Sequence, residues 1–240
     1  MTHSLRINKP NLRTAKTVTI IAAILQLFTS QLLLSIIGLE WLIQISLVYI
    51  TTGLMQIWAY YYFCQYLRNF NLQKIVITTY ITMSCMAAAF IFPMLNSVLF
   101  SHGLYYLTSF LSTGLFIINF AGVAALYIGG INLFRFQEDI VGGLSLTGKL
   151  FTAKGTLTVL GVLYYVYYYI TFYGSRNDYN SLVPISLSME HLINTLTTVL
   201  NISILASFVH IYNNAEEYTM YANYGDDSDI LNEINDIGTN

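Results

Sequence analysis

Charge is the scarcest commodity in this chain of 240 residues: Asp, Glu, Lys and Arg together make up 9%. An ordinary soluble domain carries about 25%, so these residues cannot cover a globular surface, and a soluble enzyme is excluded. Cysteine is scarce too. Cys64 and Cys85 lie in or beside apolar runs, form no framework of paired thiols, and read as small buried hydrophobes. Proline appears three times. Catalytic signatures are equally thin. Gly143-Leu144-Ser145-Leu146-Thr147 lacks the closing glycine of a nucleophile elbow. Gly148-Lys149 is followed by Leu150 rather than the Ser or Thr of a phosphate-binding loop. No arginine ladder of a voltage sensor appears, and no basic patch suited to nucleic acid.

What remains is apolar. Hydrophobic residues reach 55%, with 20 Tyr and 14 Phe. A helix needs about 20 residues to cross roughly 30 Å of hydrocarbon. Six runs meet that need: 17–37, 42–63, 75–95, 104–134, 156–173 and 186–212. The expected fold is therefore all-α, a polytopic bundle of six transmembrane helices in a lipid bilayer. The fourth run exceeds a straight span and is expected to tilt, kink near Gly114 or Gly122, or project.

The basic residues orient this bundle. Arg6, Lys9, Arg13 and Lys16 precede the first run, Arg68 and Lys74 lie between the second and third, and Arg135, Lys149 and Lys154 lie between the fourth and fifth. With six spans all nine fall on one side, and Arg176 alone on the other. The positive-inside rule then makes both termini cytoplasmic, in a plasma membrane or an endomembrane. The segment 135–155, with Gly142, Gly143 and Gly148, reads as an irregular or surface-lying cytoplasmic loop. Segment 1–16 reads as a basic arm, and 213–240 as an acidic, disordered tail without Lys or Arg. Asp226, Asp227, Asp229, Glu233 and Asp236 give that tail its charge and its capacity to engage a cytoplasmic protein. Asp226 to Leu231 resembles an acidic dileucine sorting signal in which Ile230 replaces a leucine.

Polar groups inside the spans are the informative ones. Glu190, Asn194, Thr197 and Asn201 recur at helical spacing on one face of the sixth run. Gln26, Gln56 and Asn119 stand on three other runs at broadly similar depth. Two readings compete: amides that hold helices together, and a polar path for a solute with Glu190 at its outer mouth as a ligand or proton site. Tyr60, Tyr61 and Tyr62, and the tyrosines from 164 to 173, read as interfacial belts and packing. Ala121, Ala125 and Gly129 form a small-residue ridge, used within the bundle or as a homodimer seam.

His102, Asp178, Glu190 and His191 gather toward the outer side. Adjacent helix residues point about 100° apart, so Glu190 and His191 do not readily share an ion, and no metal or cofactor is expected. The favoured function is a non-catalytic multi-pass adaptor, trafficking or organising factor. A small-solute transporter or substrate-binding membrane subunit comes second, and an intramembrane metal-dependent enzyme third.

Overall fold

Threonine and glycine, residues that often break helices in water, are built into long helices here. The computed structural model describes residues 9–28, 46–68, 72–135, 143–174 and 179–225. Among them are six helices and no strand: α1 (Lys9–Leu27), α2 (Ser46–Arg68), α3 (Gln73–Ser101), α4 (Tyr105–Phe134), α5 (Leu144–Gly174) and α6 (Tyr179–Gly225). Threonine hydroxyls are satisfied by the helix that carries them. Thr19 donates to the Ala15 carbonyl at 2.7 Å, Thr79 to Ile75 at 2.7 Å, and Thr82 to Thr78 at 3.0 Å. Each bond removes a donor that hydrocarbon would leave unpaired.

Four helical stretches among the described residues are long and apolar enough to cross a membrane: Gln73–Phe92, Tyr106–Phe134, Leu144–Tyr168 and His191–Glu216. The protein is thus an all-helical chain of integral-membrane character. Within α1 the described part is short and begins with basic residues, and 29–37 of that run lie outside the described residues. In α2, Thr51, Thr52, Gln56 and Gln65 dilute the apolar run.

The helices pack in chain order. Principal contacts join α1 to α2, α2 to α3, α3 to α4, α4 to α5 and α5 to α6, and α6 closes on α1. Each helix therefore has two main neighbours in a closed ring. The connection from α3 to α4 is only His102 to Leu104, turning at Gly103 with φ +72°. That tight reversal makes the two helices antiparallel neighbours.

Two expectations are corrected. The fifth helix begins at Leu144, not 156, and takes in most of the segment read as a loop. Among the described residues of that segment, Gly143, at φ +110°, serves as the turn glycine. Gly148 serves packing: a Cβ on it would lie 2.6 Å from the Gly130 carbonyl oxygen and 2.6 Å from the Phe134 nitrogen. Glycine's missing side chain lets α4 and α5 touch backbone to backbone, so its presence signalled contact rather than a loop. Lys149 and Lys154 consequently stand on α5, with the Lys149 ammonium 5.5 Å from the centre of the Phe134 ring.

The sixth helix likewise runs past Tyr212 to Gly225. Ala215 is buried, and Glu216 lies 3.7 Å from Lys16 of α1. This pairing orders the start of the acidic segment; residues 226–240, with Asp226, Asp227, Asp229, Glu233 and Asp236, lie outside the described residues. The fourth run is a single helix, α4, of 30 residues, about 45 Å at the helical rise and longer than a straight span needs, as its length implied.

Candidate functional site

One end of the ring gathers the basic positions. Lys16 meets Glu216, the ring of Tyr66 meets that of Tyr212 at 5.8 Å, and a Cβ on Gly143 would lie 3.0 Å from Ile211. The start of α1, the ends of α2 and α6 and the start of α5 therefore share that end, and with them Arg13, Lys16, Arg68, Lys74, Arg135 and Lys149.

Just inside this end the ring interior is filled by aromatic side chains from α2, α5 and α6. Phe63 stacks on Phe208 with centroids 4.1 Å apart. Tyr60 meets Phe208 edge-on at 5.3 Å and stacks with Phe151 at 5.9 Å. All four are essentially fully buried. Such pairs add about 0.5–1.5 kcal/mol each beyond area burial. The Thr147 hydroxyl donates to Ser207 at 2.8 Å beside this cluster, tying α5 to α6. Tyr60 is thus a core residue and not part of an interfacial belt. Tyr61 is exposed, as a belt requires, and Tyr62 stacks on Trp58.

Beyond the aromatic layer lies a polar one. Gln26 of α1, Gln56 of α2 and Asn201 of α6 are all buried. Their heights follow from helix geometry. From the Lys16–Glu216 pair, Gln26 is roughly 15 Å along α1 and Asn201 roughly 22 Å along α6. Gln56 lies one turn beyond Tyr60, whose ring touches Phe208, which puts it roughly 18 Å up. Thr52, one turn further along α2, is buried too and donates to Val48 at 2.8 Å. Three of the four helices expected to contribute amides therefore do so within about one and a half turns of each other.

The remaining expected residues part company with this layer. Asn119 is exposed on α4, and Asn194 is exposed on α6. Glu190 belongs to α6, but its side chain lies outside those described. Two buried polar atoms of the layer, Gln56 Nε2 and Asn201 Oδ1, have no hydrogen-bond partner, and neither has the Tyr60 hydroxyl. One amide atom is a donor and the other an acceptor.

The small-residue ridge is used inside the chain at two of its three positions. Ala125 and Gly129 are buried, and a Cβ on Gly129 would lie 2.9 Å from Thr78 Oγ1 of α3. Gly122, which the ridge omitted, meets Cys85 in the same way at 3.0 Å, and Ala121 is exposed. The histidines are dispersed. His102 Nδ1 lies 2.8 Å from the Val98 carbonyl, His191 is exposed, and His210 lies 3.4 Å from Asn214. Among the described residues no three His, Cys, Asp or Glu side chains are grouped to hold a metal ion.

The aromatic layer was the main feature missed. Its signal was available: Tyr60, Phe63 and Leu67 recur at steps of three and four on α2, and Ile204, Phe208 and Ile211 do so on α6. No protein-family model, no curated protein and no solved structure matches this chain.

Proposed function

We propose that the chain is a six-span, non-catalytic membrane protein with both termini cytoplasmic, and that it organises a partner protein at its basic, cytoplasmic end. The observation that carries this reading is the continuity of α6. One helix runs from the apolar ring to Gly225, with Ala215 buried and Glu216 facing Lys16. At 47 residues it spans about 70 Å, far more than a bilayer of about 30 Å needs. Nine of its residues, about 13 Å at the helical rise, continue past Glu216, and the acidic residues from Asp226 to Asp236 follow them in sequence. A negative segment held off an anionic membrane surface is suited to a basic protein partner.

The test compares the full chain with a truncation after Gly225 and with Glu190→Gln. The truncation is expected to lose the larger native assembly in mild detergent while keeping its melting temperature. Glu190→Gln is expected to change neither. The reverse pattern rejects this reading. Orientation is tested in sealed vesicles, on a background lacking Cys64 and Cys85. Ser175→Cys should react with an impermeant maleimide from outside, and Asn240→Cys only after permeabilisation.

A second reading, a small-solute site, is favoured by Gln56 Nε2 and Asn201 Oδ1, which are buried without partners. A solute bound there would raise the melting temperature by mass action. The shift would vanish in Gln56→Leu.

A further inference from the structure

Between Glu40 and Glu138 the chain contains no Asp or Glu. Arg68, at the end of α2, stands in the middle of that stretch, and no carboxylate among the described residues pairs with it. Its guanidinium is nevertheless held in place, 5.4 Å from the centre of the Tyr80 ring. Beside it, between α2 and α3, lies a cavity of about 320 Å³ lined by Arg68, Leu72, Gln73, Val76 and Ile77. The volume is at the small end of ligand sites, which run from about 300 Å³ upward.

The lining is divided by chemistry. Arg68 and Gln73 supply hydrogen-bond donors on one side. Leu72, Val76 and Ile77 supply an apolar wall, and Ile77 is itself outward-facing at 58% exposure. A guanidinium recognises phosphate through two parallel N–H donors, which a water-exposed lysine cannot match. The ring of Tyr80 attracts the guanidinium without neutralising its charge. An apolar lining that reaches the outward-facing Ile77, one turn along α3 from Gln73, is unsuited to free phosphate, which has nothing to lay against it. It suits a molecule whose phosphate is joined to hydrocarbon.

We propose that the cavity between α2 and α3 is a binding site for the headgroup of an anionic phospholipid, with its phosphate on Arg68 and Gln73 and the start of an acyl chain along Ile77. The site lies at the basic end of the ring, where headgroups of an anionic leaflet would meet it. It depends only on the chain lying in a bilayer, and so stands apart from the partner-binding and solute readings.

The test uses the full-length protein in mild detergent and two probes, fluorophore-labelled phosphatidylglycerol and phosphatidylcholine with the same acyl chains. One cation near the membrane surface favours an anionic lipid by about fivefold, so wild type should prefer phosphatidylglycerol by about that factor. Arg68→Gln should bring the ratio to about one. Gln73→Glu should do the same with the fold intact, because Gln73 is exposed and opens α3, where a carboxylate suits the helix dipole. Melting temperatures confirm that both variants are folded. Equal binding of the two lipids by wild type overturns the proposal, as does an unchanged ratio in folded Gln73→Glu. Loss of the preference in millimolar inorganic phosphate overturns it too, since the site would then be one for free phosphate.

Discussion

Gly130 and Gly148 face each other across α4 and α5 so closely that a Cβ on Gly130 would lie 2.9 Å from the Gly148 carbonyl oxygen. Neither backbone can yield without bending its helix. Gly148→Ala should therefore destabilise the protein by about 1–3 kcal/mol, the usual cost of overpacking. Gly161→Ala is the matched control on the same helix. Its Cβ would meet only Ile193, at an ordinary 3.5 Å, and should be neutral or stabilising by up to about 1 kcal/mol. Melting temperatures of the two variants in one detergent decide the matter.

Phe208 touches Tyr60, Phe63 and Phe151 at once. Phe208→Ala should cost about 3–5 kcal/mol, as for other large buried aromatics. Phe208→Leu keeps most of the volume and should cost less than half of that. Denaturant titration followed by aromatic fluorescence measures both.

Thr147 has an alternative acceptor in the Gly143 carbonyl, and Ser207, which accepts from Thr147, donates its own proton to the Ile204 carbonyl. Breaking the bond between them leaves neither side chain stranded. A double-mutant cycle with Thr147→Val and Ser207→Ala should give a coupling of about 0.6 kcal/mol, and no more than about 1.7.

Gln56 tests what its layer is for. With Nε2 unpartnered, Gln56→Leu removes a buried polar group that gains nothing from the protein. Stability should hold or rise by about 1 kcal/mol. A loss of that size would mean that the amide is bonded within the ring and serves packing alone. Chemical denaturation of the ligand-free protein reads the sign.

Much of this fold was legible because apolar length and charge are blunt signals. Residues 104–134 read as one run, and α4 occupies nearly the same span, since nothing charged interrupts it. The depth of Gln26, Gln56 and Asn201 could be counted from helix rise alone. Other features were illegible for identifiable reasons. Gly148 reads alike whether glycine turns a chain or lets two helices touch, and only Gly130 on the neighbour decides. Asn119 has the right depth but the wrong azimuth, which depends on the ring's arrangement. Along the extension of α6, Glu216 meets Lys16, about 200 residues earlier in the chain, and no local pattern announces such a partner. Arg68 was counted as an orienting charge; its place over Tyr80 belongs to tertiary structure.

The closure of α6 on α1 also sets an order of events. Helices enter a membrane from the amino terminus, and α1 has only α2 for company until the last helix has been made. Until then Gln26 lacks the face that carries Asn201, and the aromatic layer has no Phe208. Neighbouring helices joined by short connections can pair early, whereas the seam between first and last has the longest loop to close. Assembly is therefore completed by a single late docking step. A chain that stalls before α6 leaves Gln26 and Phe63 uncovered, where quality control can recognise them.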